Sequence, residues 1–351
     1  MKKHQEYTGI DLFKLIFSFF VIFIHCHPEG TASFVIANGI GRLAVPFFFC
    51  AAGYFLAQKI LSSSNEAWQT GVYAFLGRIF KMYLIWSAIY LPLMLVIFLV
   101  GRGYTPLECL TEYLRAFFFT GSFSQLWYLP ALLTGAAIVS VLCKKVDLRV
   151  VFAFGLLLFF VGIFNEAYSG LCPPILKDFF EDLYNPVFER TRNGLFFATV
   201  FVAMGFLFAK SEQFGKGILP DIVGTVCFTA LMCLEGYLLD HYGISQGRYG
   251  MYLMAVPATL FCFRLARKIE LPVKERTAYT MRKMSTMIYL LHQFVNGIVI
   301  DTLADTVLGL KLAGTIGGFL IIVLLTLPLS YLIVRAGAQK NKAGAFFKAL
   351  S

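Results

Sequence analysis

Two side chains in the first apolar block can carry charge or move a proton. Lys14 and His25 stand eleven residues apart. Eleven helical steps of 100° overshoot three full turns by only about 20°, so a helix presents both on one side. At 1.5 Å per residue they are roughly 16 Å apart along the axis. A neutral imidazole can take a proton near pH 7, which makes His25 a candidate general base. Lys14 is a candidate cation for an anionic substrate, and Asp11, one turn earlier, is within pairing reach of it. The competing reading makes His25 a hydrogen-bonded packing residue and lets Lys14 snorkel to the interface.

Further polar residues interrupt later apolar blocks. Arg42 opens the second block in Gly41-Arg42-Leu43-Ala44-Val45-Pro46, where it either snorkels or reaches toward His25. Arg78 and Lys81, three apart, form either an anion site or a cytoplasmic anchor. Ser285, Tyr289, His292 and Asn296 follow the spacing i, i+4, i+7, i+11, which is one helical face. That face either lines a cavity or acts as interhelical glue. Trp127-Tyr128 has the character of an interface belt. Glu235 is an acid inside the seventh block with no evident partner. Ionisable groups in a span are costly, so each is a functional candidate.

The elements that must position these residues follow from composition. Of 351 residues, 58% are apolar and only 14% charged, with a mean hydropathy of +0.74. A soluble domain carries about 45–50% apolar and about 25% charged residues. These figures exclude a soluble enzyme and a disordered chain and imply an integral membrane protein. Apolar blocks run over roughly 10–27, 40–59, 73–100, 126–143, 149–166, 193–210, 219–239, 250–266, 284–301 and 312–334. Backbone in lipid must bond internally, so the expected fold is all-α, a polytopic bundle of about ten transmembrane helices. Pro92 predicts a kink or tilt in the third.

Net charge is +10, but the cations sit in small groups between apolar blocks, which argues for membrane sidedness and against nucleic acid. Lys and Arg on alternate connections are biased about threefold to the side that includes Lys2, Lys3 and the 335–351 tail. Ten spans with both termini cytoplasmic are therefore expected, in the cell membrane. Lys2 and Lys3 before an apolar stretch suit a signal peptide, but Asp11 and Lys14 intrude and no cleavage site follows, so a retained first span is expected. The acidic connection 167–192 is read either as an ordered cap or as a solvated loop. The tail, with Phe346, Phe347 and Leu350, is read as an interfacial anchor or a linker stub. The eight cysteines form no CxxC pair, so no metal site is expected. A disulfide between Cys109 and Cys172 stays open.

Taken in order, these pieces resemble the acyltransferase family 3 of membrane proteins. That family pairs Arg or Lys with a downstream His in the first span, as Lys14 and His25 do. Its Arg-x-x-x-Pro-x-Phe-Phe and Ser-Gly-Phe are similar to Arg42–Phe49 and Ala52-Gly53-Tyr54, and its Arg-x-x-Arg to Arg78-Ile79-Phe80-Lys81. Its Trp-Tyr-Leu is similar to Trp127-Tyr128-Leu129, and its Ser-x-x-x-Tyr-x-x-His to Ser285, Tyr289 and His292. Within the family, Leu126–Pro130, Thr191–Phe197 and Leu234-Glu235-Gly236 resemble the membrane half of VanT-type serine racemases. Lys81 stands for the second Arg of the basic pair and Ala52 for the Ser, departures that fit altered chemistry.

The resemblance implies a single acyltransferase-type membrane domain over 1–351. It implies acyl-CoA, above all acetyl-CoA, as donor, docked by Arg78 and Lys81 with Lys14 nearby. His25 would be catalytic, Arg42 would stabilise the oxyanion or orient the acceptor, and Ser285, Tyr289 and His292 would line the cavity. The VanT likeness implies instead an L-serine binder or carrier, with Arg42 on the carboxylate and Glu235 at the amine. It further implies a PLP-dependent racemase as a downstream or separate partner, with no PLP site and no fused racemase domain expected in this chain. The other partners expected are the lipid bilayer and a small-molecule acceptor.

Overall fold

The computed structural model describes residues 7–61, 64–211 and 217–351. The elements, in order, are α1 (Thr8–Cys26), α2 (Thr31–Asn38), a single 3₁₀ turn (Ile40–Leu43), α3 (Ala44–Ile60), α4 (Asn65–Val96) and α5 (Pro106–Arg115). They continue as α6 (Tyr128–Leu142), α7 (Leu148–Gly162), α8 (Pro174–Asp178), α9 (Asn185–Phe188), α10 (Thr199–Lys210) and α11 (Leu219–His241). Last come α12 (Ala255–Lys268), α13 (Glu275–Val295), α14 (Ile316–Gly337) and α15 (Lys342–Ala349). A wider-wound π segment, Asn296–Val307, extends α13. Among the described residues there is no strand.

Each of the ten apolar blocks carries a helix, and among the described residues seven helical stretches are long and apolar enough to cross a membrane. The others are shorter: Tyr128–Leu142, Gly194–Lys210 and the 14-residue α12. At 1.5 Å per residue, 14 residues reach about 21 Å, short of the roughly 30 Å hydrocarbon core. The spans also differ in surroundings. In the stretches Thr31–Ile60 and Thr8–Cys26, 67% and 56% of the apolar window is buried, against 22% in Asn65–Gly101 and Leu219–His241. The first pair are interior helices; the second pair present residues such as Val100 and Val226 outward, as lipid-facing helices do. The chain is a multi-pass all-α membrane protein.

The helices form two compact units, and the division falls within α3, α11 and α12. In the first unit, α1 packs on α13, α13 on α14, and α15 on α14. Asp11, fully buried, receives Nε and Nη2 of Arg282 at 3.0 and 2.9 Å, so the ends of α1 and α13 are clamped. Sequence proximity suggested Lys14 for Asp11; the partner found lies 271 residues away. Gly9 sits against the backbone of Ala266 and Ile269, where no Cβ fits, and Thr8 Oγ1 accepts from Leu271 N at 2.8 Å. Lys283 on α13 donates its Nζ to Ser351 O of the tail at 2.6 Å.

The second unit is built on close crossings. Gly53 of α3 meets the Val202 backbone, and Gly205 of α10 meets that of Cys50 and Tyr54. Small residues let such backbones approach and gain dispersion contacts where lipid gives no hydrophobic push. The connection 167–192 is ordered. Its neighbour Glu166, fully buried, faces Arg190 at 3.7 Å and Arg192 at 3.6 Å, and Asn165 and Asn185 exchange amide bonds at 2.7 and 3.1 Å. Cys109 and Cys172 are both free thiols, so the open disulfide is absent.

Candidate functional site

The centre of the site is the C-terminal end of α1. His27 adopts the left-handed conformation (φ 43°) and ends the helix, and its Nδ1 donates to His25 O at 3.3 Å. His25 is half-buried there. Across from it, α13 presents its polar face. The rings of His25 and His292 have centroids 5.2 Å apart at 41°, and Tyr289 lies 6.2 Å from His292.

His292 is 1% exposed, and its Nδ1 lies 3.1 Å from Ile288 O. A carbonyl can only accept, so Nδ1 carries the proton and Nε2 presents a lone pair. Nε2 is buried and has no partner among the described residues. A buried orphan acceptor is costly in an inert packing residue and calls for an explanation. Ser285, seven residues nearer the start of α13, donates to Arg282 O at 2.9 Å, a bond within its own helix.

Beyond α13 the π winding changes which residues share a face. Asn296 Nδ2 donates to Asp301 Oδ2 at 3.2 Å, Thr302 Oγ1 to Gly297 O at 2.7 Å and Thr306 Oγ1 to Asp301 O at 2.7 Å, all at a spacing of five. In an α-helix five steps leave two residues about 140° apart; i→i+5 winding stacks them. A cavity of about 50 Å³ opens beside this segment, with His25, Asn296, Asp301 and Thr315 as its polar lining. Asp301 and Thr315 were not candidates from sequence, because the ninth apolar block appeared to end at 301 and α-helical spacing gave no reason to group Asp301 with Asn296.

Arg42 sits on the 3₁₀ turn and donates through Nη2 to Asn38 Oδ1 at 2.7 Å. Next to it, a Cβ on Gly41 would lie 3.0 Å from Ile24, which sets this turn against α1 one residue from His25. Lys14 is half-buried on α1. Lys14, His25, Arg42, Ser285, Tyr289 and His292 all belong to the first unit, and His25, Tyr289 and His292 are gathered at one place in it.

Arg78, Lys81 and Glu235 belong to the second unit. Arg78 and Lys81 are exposed on α4, the Arg78 guanidinium 5.5 Å from the centre of the Phe75 ring. Glu235 has partners after all. Its Oε1 accepts from Tyr168 Oη at 2.6 Å and Leu253 N at 2.6 Å, and its Oε2 from Met254 N at 2.9 Å. The carboxylate thus satisfies two amide donors just ahead of α12, a structural task. It also raises the hydroxyl pKa of Tyr168, second to burial as a cause. Among the described residues no group of three or more His, Cys, Asp or Glu could hold a metal.

A sequence model described as an acyltransferase domain matches residues 7–335, and the chain belongs to this acyltransferase-3 family of membrane proteins. It is similar to an amino-acid racemase of Enterococcus faecalis, 29% identical over 272 residues, which is 76% of this chain and 36% of that protein. It is equally similar to a serine/alanine racemase of Enterococcus gallinarum, 29% identical over 296 residues, 82% of this chain and 40% of that protein. The chain thus spans about two fifths of the length of these relatives or less. No solved structure matches it significantly.

Proposed function

We propose that the protein is a membrane acyltransferase that moves an acyl group, most simply acetyl, from cytoplasmic acyl-CoA to a hydroxyl or amine presented at the outer side of the cell membrane. The observation that carries this reading is the His25 imidazole lining a polar cavity with the His292 ring 5.2 Å away. His25 takes the proton of the acceptor as its oxygen or nitrogen attacks the thioester carbonyl. The C–S bond then breaks, and the leaving CoA thiolate receives that proton. Arg42 stabilises the oxyanion or orients the acceptor. Tyr289 and His292 back the imidazole, and Ser285 continues their face. Arg78 and Lys81 supply cations for the donor's phosphates, and Lys14 is a further cation on the helix that carries His25.

The topology proposed with it has ten crossings, both termini in the cytoplasm and the His25 end of α1 outside. The about threefold Lys and Arg bias on alternate connections supports it. Replacing His25 with Ala tests the chemistry: a folded variant that transfers at full rate refutes the assignment.

The racemase relatives favour a second reading, a membrane domain that binds or carries L-serine for a racemase domain or partner. Arg42 then holds the carboxylate. Labelled L-serine uptake into vesicles without acyl-CoA, together with no acyl-CoA binding, selects this reading over the first.

A further inference from the structure

We propose that the cavity beside His25 receives a cationic amino group and that Asp301 is the residue that selects it. The inference rests on the reading that His25 meets the acceptor, and it names the chemical class of that molecule: an amine, or an alcohol that also carries an ammonium.

The argument is an inventory of hydrogen-bonding capacity around the cavity. Thr315 is spent, since its hydroxyl donates to Leu312 O at 2.7 Å and accepts from Gly318 N at 3.0 Å, which caps the start of α14. Asp305, one α-turn after Asp301, is spent too: its two oxygens accept from Leu312 N at 2.5 Å and Ala313 N at 2.9 Å. It therefore fixes the turn that forms one wall.

Asp301 differs. It takes one side-chain donor, Asn296 Nδ2 on Oδ2 at 3.2 Å, and among the described residues Oδ1 has none. That bond turns the Asn296 amide so that its own oxygen is left as an acceptor. The wall facing a ligand thus offers a carboxylate oxygen and an amide oxygen, both acceptors, one charged. Their complement is a group with several N–H donors and a positive charge, an ammonium.

Size and field agree. About 50 Å³ holds one or two waters, enough for an amino head whose remainder extends through the opening. Asp301 is exposed, so it stands where the cavity opens, with His25 half-buried. Glu29 is held at the same rim through its N–H to Gly314 O at 3.0 Å, and Lys311 stands beside the lining residue Leu312. Asp301 on the lining and Asp305 on the adjoining turn put two carboxylates at this opening, which attracts a cation.

The test is equilibrium dialysis of the full chain in lipid nanodiscs against labelled ethanolamine and L-serine, with ethylene glycol as the neutral competitor. At least one amine should bind saturably, and ethylene glycol should not displace it. Asp301→Asn, nearly the same shape, should weaken binding by about tenfold to a hundredfold, the range of a charged hydrogen bond. Asp301→Glu should recover part of it, which separates charge from folding. Absence of binding by both amines, or equal binding in Asp301→Asn, overturns the proposal. Acetyl-CoA binding to the same wild-type sample reports separately on the donor, so failure of the acyltransferase reading and failure of this one are distinguishable.

Discussion

The Asp11–Arg282 clamp gives the most direct handle on how the helices hold the site. Asp11 is fully buried, and its two oxygens receive Nε and Nη2 of Arg282 at 3.0 and 2.9 Å. A buried ion pair that loses one partner usually costs about 3–5 kcal/mol. Here the Arg282 side chain is 43% exposed and can turn to water when Asp11 is removed, which lowers the figure. Interhelical hydrogen bonds in membranes average only about 0.6 kcal/mol, but this pair is ionised and bidentate, and charge-assisted bonds reach about 1.5–3 kcal/mol. The expected coupling is therefore about 1.5–3 kcal/mol. A double-mutant cycle of Asp11→Ala and Arg282→Ala measures it, by reversible unfolding of the detergent-solubilised protein. Asp11 is fourteen residues from His25, about 21 Å along α1, yet its loss frees α1 to slide against α13. Transfer should then slow although no group near the cavity has changed. A coupling under about 0.5 kcal/mol, or strict additivity, refutes the claim that this pair sets the register.

Four other outcomes follow from named contacts. His25→Ala should fold and lose transfer by about 10²–10⁴-fold, the usual contribution of a general base, measured as labelled acetyl transfer in vesicles. Glu235→Ala orphans Leu253 N and Met254 N and should destabilise the protein by about 2–4 kcal/mol in thermal melts, whereas Glu235→Gln, which still accepts, should lose clearly less. Gly53→Val drives a side chain into the Val202 backbone and should abolish the folded, monodisperse peak in size-exclusion chromatography. Thr105 donates its N–H and hydroxyl to Glu108 and holds that carboxyl below its ordinary 4.5. A lowered folded-state pKa contributes stability above the unfolded value and loses it as pH falls through the folded one. Protection against hydrogen exchange in the first turn of α5, taken relative to the intrinsic exchange rate at each pH, should therefore fall only below about pH 4.5, and protection that does not change with pH contradicts the cap.

What the sequence revealed and what it hid divide along a physical line. Local periodicity and length placed a helix in every apolar block, because backbone in lipid has no other partner for its N–H and C=O groups. The same periodicity put Tyr289 and His292 on one face; that this face meets His25 is visible only in the structure. Contacts between distant segments left no such mark. Glu235 looked unpaired because Tyr168, Leu253 and Met254 reach it through the fold, and Asp11 found an arginine near the other end of the chain. Asp301 escaped notice for a different reason: α-helical arithmetic at 100° per residue scatters Asn296 and Asp301, and only the wider winding of 296–307 stacks them. Helix lengths also concealed a distinction. Some blocks became full spans such as α4 and others short ones such as α12, ahead of which Leu253 and Met254 are non-helical and give their N–H groups to Glu235.

The acyltransferase account turns on the donor. Isothermal titration of acetyl-CoA into the purified wild-type protein tests it most directly. The account predicts saturable binding that survives His25→Ala and weakens when Arg78 and Lys81 are both replaced by Ala. No detectable binding of acetyl-CoA, alongside intact L-serine uptake, contradicts it.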